Sequence, residues 1–158
     1  MRNIWAWIAA IIVGVFILAL IFGGGSSRQA YRVARGTIDQ QVAQGQDRIQ
    51  AVADAASAAV ALALEQSAQL PVQEAKAEAI TRGIEEISKA LQEAAALHGD
   101  LAVARLDASI ELFNSTVDTV EEASREATSP VVKARLDTIS GNLQAVREIV
   151  TQVVLATQ

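Results

Sequence analysis

The side chains able to do chemistry in this chain are few: a single histidine, His98, no cysteine, and two adjacent acid pairs, Glu85-Glu86 and Glu121-Glu122. Residues next to each other on a helix point about 100° apart, so neither pair can share a proton in the manner of a catalytic carboxylate dyad. A di-iron site in a helical bundle needs carboxylates from four helices and two Glu-x-x-His motifs, which one histidine cannot supply. His98 falls at a predicted helix end, where an imidazole interacts favourably with the negative pole of the helix and has no need of a metal. The absence of cysteine excludes disulfides, thiolate metal sites, cysteine nucleophiles and a lipid-modified cysteine. No glycine-rich phosphate loop or calcium loop occurs, since Gly23, Gly24 and Gly25 follow an apolar run and not a strand. Asn114-Ser115-Thr116 satisfies the glycosylation sequon but falls within a predicted helix. The expectation is a protein without catalytic residues, metal or cofactor, and without a small-molecule substrate.

What the chain has instead is a membrane signal. Ile4 to Phe22 is apolar without interruption, and nineteen helical residues reach roughly 28 Å, close to the roughly 30 Å hydrocarbon core of a bilayer. The expected arrangement is a transmembrane anchor over 4–22, a Gly/Ser-rich and basic linker over 23–36, and a helical body over 37–158. Trp5 and Trp7 stand where an interfacial aromatic belt would lie, and Arg28, Arg32 and Arg35 follow the span, where each could interact with anionic headgroups. A cleaved signal peptide is the rival reading, because small residues follow the run, but a signal's apolar core has only roughly 7–15 residues. The basic excess behind the span favours a cytoplasmic body, with the opposite, extracytoplasmic side as the alternative. Ala6, Ala10 and Gly14 recur every four residues on one face, a spacing that lets two spans pack closely and that also arises by chance in alanine-rich helices.

The net charge of −5 is unevenly spread. From Gly36 onward there are nine basic and eighteen acidic side chains, so an acidic body follows a basic neck. Such a body repels phosphate backbones and lacks interleaved aromatics, which excludes nucleic acid as an expected partner.

The body reads as four helices. Thr37 and Gln40 have capping-box spacing, and Ile38, Val42, Gly45, Ile49, Val52, Ala56, Ala59 and Ala63 step by three and four, predicting a long first helix over 37–70. Pro71 opens a second helix over 71–98 with Ala77, Ile80, Ile84, Ile87, Leu91 and Ala94 on one face, closed by Gly99. Asp100 is the expected cap of a third over 100–128, built on Val103, Leu106, Ile110, Phe113, Val117 and Val120. Ser129-Pro130 opens a fourth over 130–157, built on Val132, Leu136, Ile139, Leu143, Val146, Val150 and Val153. Short joints favour antiparallel neighbours, so the expected fold class is all-α: an up-down four-helix bundle behind an N-terminal transmembrane helix. The alternative, a long parallel coiled coil of several chains, fits poorly with breaks at Pro71, Gly99 and Pro130. The uncharged stretch Ala55 to Leu64 is apolar nearly all round, and Val60, Leu62 and Leu64 belong either to the core or to a contact with another subunit.

The order of anchor then long helices superficially resembles the peripheral-stalk b subunit of rotary ATP synthases. The breaks and the uncharged stretch depart from that family's continuous, highly charged helix. The helix pattern of the body also looks like the four-helix sensing domain of bacterial chemoreceptors, which is bracketed by two spans where this chain has one apolar run. Neither resemblance carries a residue-level motif, and no family is assigned on them. The leading expectation is a membrane-tethered scaffold or adaptor, working through a protein partner or homo-oligomer. The alternative is an extracytoplasmic ligand-sensing bundle or accessory subunit of a membrane complex, with Arg82, Arg105, Arg135 and Arg147 as candidate anion contacts.

Overall fold

A computed structural model describes residues 47–70 and 74–157 together with Gly36 and Asp39. The run 4–22, with Trp5, Trp7, Ala6, Ala10 and Gly14, lies outside the described residues, as do Arg28, Arg32, Arg35 and the Thr37–Gln40 capping box. Among the described residues no helix is long and apolar enough to cross a membrane. Gly36 and Asp39 are helical, and residues 47–70 and 74–157 form four helices and no strand: α1 Arg48–Ala68, α2 Glu74–Ala96, α3 Gly99–Glu126 and α4 Pro130–Thr157.

The first helix corrects the expected one. It is the shortest of the four, 21 residues, not a long helix running from Thr37. Its start is set by Asp47, whose ψ of 131° is non-helical and whose carboxylate accepts from the Ile49 amide at 3.2 Å. An aspartate in that position satisfies a first-turn N–H that has no partner within the helix. The turn between α2 and α3 also differs in detail. His98, extended at φ −130°, occupies the cap position without a side-chain cap bond, Gly99 takes a positive φ of 61°, and Asp100 sits inside the first turn of α3. Ser129 caps α4 from the side chain, accepting from the Val132 amide at 3.5 Å, with Pro130 as first helical residue.

Contacts between helices fix their directions. Gln50 near the start of α1 donates to His98 beyond the end of α2 at 2.9 Å, Lys76 at the start of α2 pairs with Glu126 at the end of α3, and Ser124 near the end of α3 donates to Asp137 near the start of α4. Gln66 and Gln69 at the end of α1 share a groove with Pro130 and Val131 at the start of α4, which closes the ring. All neighbours are therefore antiparallel. The starts of α1 and α3 lie at one end of the bundle, the starts of α2 and α4 at the other.

The apolar rows meet in one core. Ile80, Ile84, Ile87 and Leu91 of α2 pack with Leu106, Phe113, Val117 and Val120 of α3 and with Leu136, Ile139, Leu143, Val146, Val150 and Val153 of α4. The same cluster takes Val52, Ala56, Ala59, Val60 and Ala63 from α1. Because α1 presents mostly alanine, it approaches α3 across the diagonal more closely than α2 approaches α4, where larger side chains stand between the axes. Three buried hydroxyls are satisfied within their own helices, Ser109 donating to the Leu106 carbonyl at 2.6 Å, Thr116 to Leu112 at 2.8 Å and Ser67 to Leu64 at 2.8 Å, whereas Ser124 and Ser140 donate across the α3–α4 seam to Asp137 and Glu121.

Candidate functional site

The solvent-facing row of α3 carries the most one-sided chemistry among the described residues. Asp100, Asp107, Glu111, Asp118 and Glu122 are all exposed. At about 100° per residue they fall within an arc of about 60°, and the row from Asp100 to Glu122 runs roughly 33 Å. No basic residue interrupts it, and none of the five takes part in an ion pair among the described residues. Neighbouring α2 is patterned differently: Arg82 lies four residues after Glu78, and Lys89 four after Glu85, so basic residues alternate with the exposed acids Glu78, Glu85 and Glu86. The α3 row thus offers an extended, unneutralised negative strip on a rigid support.

Beneath that strip, the seam between α3 and α4 is cross-linked by polar side chains. Gln144 donates to Glu121 at 2.9 Å and to Ser140 at 3.0 Å, and Arg147 donates to Asn114 at 2.9 Å. Together with Ser124 and Asp137 these pairs hold α3 in register against α4, which gives the outward row a fixed orientation. Glu121 is thereby a structural acceptor, and only its neighbour Glu122 belongs to the exposed row.

A second feature is an open groove of about 580 Å³ between the end of α1 and the start of α4. Pro130, Val131, Ala134 and Ile139 provide apolar lining, and Gln66, Gln69, Arg135 and Thr138 provide polar groups. Gln66 Oε1 is buried and takes no hydrogen bond from the described residues.

The residues singled out from the sequence are distributed as follows. Val60 is fully buried, whereas Leu62 and Leu64 are half-buried and packed against the core. Of the four candidate anion contacts, Arg105 pairs with Glu93 and Arg147 is held by Asn114, while Arg82 and Arg135 are exposed. Only Arg135 lines the groove, and Arg105 lies in the opposite half of the bundle. His98 is exposed and bonded to Gln50. Thr116 of the sequon is buried, and Asn114 is engaged by Arg147. Among the described residues no three His, Asp or Glu side chains converge as metal ligands. Sequence reasoning saw the acidic excess of the body but missed its collection on α3. The 100, 107, 111, 118, 122 spacing was the signal that would have revealed it.

Comparison with known protein families, curated proteins and solved structures returns no match to this chain, so its function has to be argued from its own residues.

Proposed function

We propose that this protein is a membrane-tethered, non-enzymatic adaptor whose helical bundle docks a basic protein along α3. The observation that carries the reading is the strip of five exposed carboxylates on one face of that helix, none of them in an ion pair among the described residues. Like charges left uncompensated over such a length repel one another, and a cationic partner would relieve that repulsion while gaining steering and selectivity. Tethering supplies the rest of the mechanism. The apolar run 4–22 inserts in the bilayer, Trp5 and Trp7 lie at the interface, and Arg28, Arg32 and Arg35 rest on anionic headgroups. Confinement to the membrane raises the local concentration of whatever the bundle binds. The body lies on the cytoplasmic side in this reading, following the arginines behind the span.

Purification of the full chain in mild detergent tests the proposal. A basic protein is expected to co-purify, to dissociate as salt is raised, and to be lost from a Glu111→Lys, Asp118→Lys variant that still folds. Retention of the same partner by that variant would overturn the docking surface, and release of the chain from membranes by carbonate would overturn the tether.

The groove beside Arg135 favours a second reading, an extracytoplasmic bundle that senses a small anionic molecule. A reporter fused at Gln158 separates the two, because activity on the extracytoplasmic side supports sensing and activity in the cytoplasm supports the adaptor.

A further inference from the structure

The acidic row of α3 runs beside a second row. One position after each of its first four members stands an uncharged residue: Leu101 after Asp100, Ala108 after Asp107, Leu112 after Glu111 and Thr119 after Asp118. At about 100° per residue these four share an arc of about 40° on the side of α3 that meets α2. Leu101 is 67% exposed, Ala108 is exposed, and Leu112 and Thr119 are half-buried. The Thr119 hydroxyl already donates to the Ser115 carbonyl at 3.0 Å. Ala108 and Leu112 line a groove of about 240 Å³ together with Ala90 of α2. Of the charged groups at this groove, Glu86 and Lys89 offset one another and Arg105 pairs with Glu93, so its α2 side carries no net sign. The α3 edge beyond it is purely acidic from Asp100 to Glu122. The seam beneath is fixed by the Lys76–Glu126 and Arg105–Glu93 pairs and by the close approach of Gly83 to Thr116.

Both rows step by seven, four and seven residues, and the acids by a further four, so their groups recur about every 10.5 and 6 Å along the axis. Another helix returns to one face at those same intervals. An extended peptide does not, because its side chains alternate at about 3.3 Å per residue and positions roughly 10 Å apart fall on opposite faces. We infer that the partner docks as an amphipathic helix laid along the α2–α3 seam, with cations over the acidic row and apolar side chains beside them that cover Leu101 and enter the groove. The inference rests on reading α3 as the docking surface for a basic protein, and it specifies the form of that partner. Coulombic attraction alone accepts any basic chain. The second row discriminates, since Leu101 and Leu112 lose contact with water only against a partner whose apolar groups keep the same steps.

Two synthetic peptides of identical composition, titrated against the full chain in mild detergent, test this. The first is a helix-former with five lysines at steps of four, seven, four and seven residues, matching α3 in antiparallel orientation, and a leucine directly after the third lysine. The second carries the same lysines on alternate residues, as a strand would present them. The first is expected to bind at least roughly tenfold more tightly. Equal affinity, or binding by neither peptide, would overturn the inference. Replacing the leucine of the first peptide by alanine is expected to weaken it about fivefold on the unsubstituted chain and less than about twofold on Ala108→Leu, whose larger side chain fills the groove. Equal weakening on the two proteins would overturn the groove contact. The adaptor reading fails separately, through a co-purified basic protein that stays bound to the Glu111→Lys, Asp118→Lys variant, so the two failures are distinguishable.

Discussion

Gly83 of α2 lies so close to Thr116 of α3 that a methyl group added at the glycine would stand 2.5 Å from Thr116 Oγ1 and 3.1 Å from its Cγ2. Thr116 is buried, β-branched and bonded to the Leu112 carbonyl, so it has little room to turn aside. In an exposed helix interior, replacing glycine by alanine gains about 1 kcal/mol. Here overpacking of about 1–3 kcal/mol opposes that gain, and a net loss of stability is expected for Gly83→Ala. Urea unfolding checks it. Adding Thr116→Ala should recover part of the loss, and a double-mutant cycle with no coupling would refute the contact.

The acidic row on α3 makes a prediction about salt. Repulsion among Asp107, Glu111, Asp118 and Glu122 is screened once the Debye length shortens from about 30 Å at 0.01 M to about 3 Å at 1 M. The melting temperature of the full chain in a non-ionic detergent is expected to rise with sodium chloride. In Glu111→Lys that rise should shrink, because the substitution removes part of the repulsion that salt would otherwise screen. An unchanged salt dependence would mean that the row carries no strain.

Asp47 sets the start of α1 through its bond to the Ile49 amide. Asp47→Ala is expected to cost about 0.5–2 kcal/mol in urea unfolding, while Asp47→Asn, which keeps a side-chain acceptor, should cost less than half as much. Equal losses from both would argue that the helix start is decided elsewhere.

Core truncations should separate α1 from its neighbours. Phe113→Ala removes the largest enclosed side chain among the described residues and is expected to cost about 3–5 kcal/mol. Val60→Ala removes two methyl groups from the only large enclosed side chain of α1, and about 2 kcal/mol is expected at ~0.8 kcal/mol per buried carbon. Hydrogen exchange should show the second substitution loosening α1 locally, whereas the first lowers protection in all four helices.

Much of the bundle is legible from the spacing of apolar residues alone. The three- and four-residue steps that marked Ile80, Ile84, Ile87 and Leu91, or Leu136, Ile139 and Leu143, identify side chains that are buried in the core. The same steps marked Ile49, Ala77, Val103, Ile110 and Val132, which are half-buried. Breaks were legible where a residue type has one dominant backbone role, as with Ser129-Pro130 and the positive φ of Gly99. The start of α1 was not, because a capping box at Thr37 and an aspartate at 47 are both good starts and local pattern does not rank them. Val60, Leu62 and Leu64 were ambiguous for a related reason: a helix apolar all round does not reveal which side its neighbours occupy.

By itself the sequence determined the periodicity, the acidic excess and the poverty of catalytic groups, since these depend on residue type and spacing along one helix. Only the tertiary structure decided which helix meets which. Packing between helices placed Glu121 against Gln144 while leaving Glu122 in solvent, and left α1 with small side chains beside an open seam. Those outcomes turn on distances between residues far apart in the chain, and no local pattern encodes them.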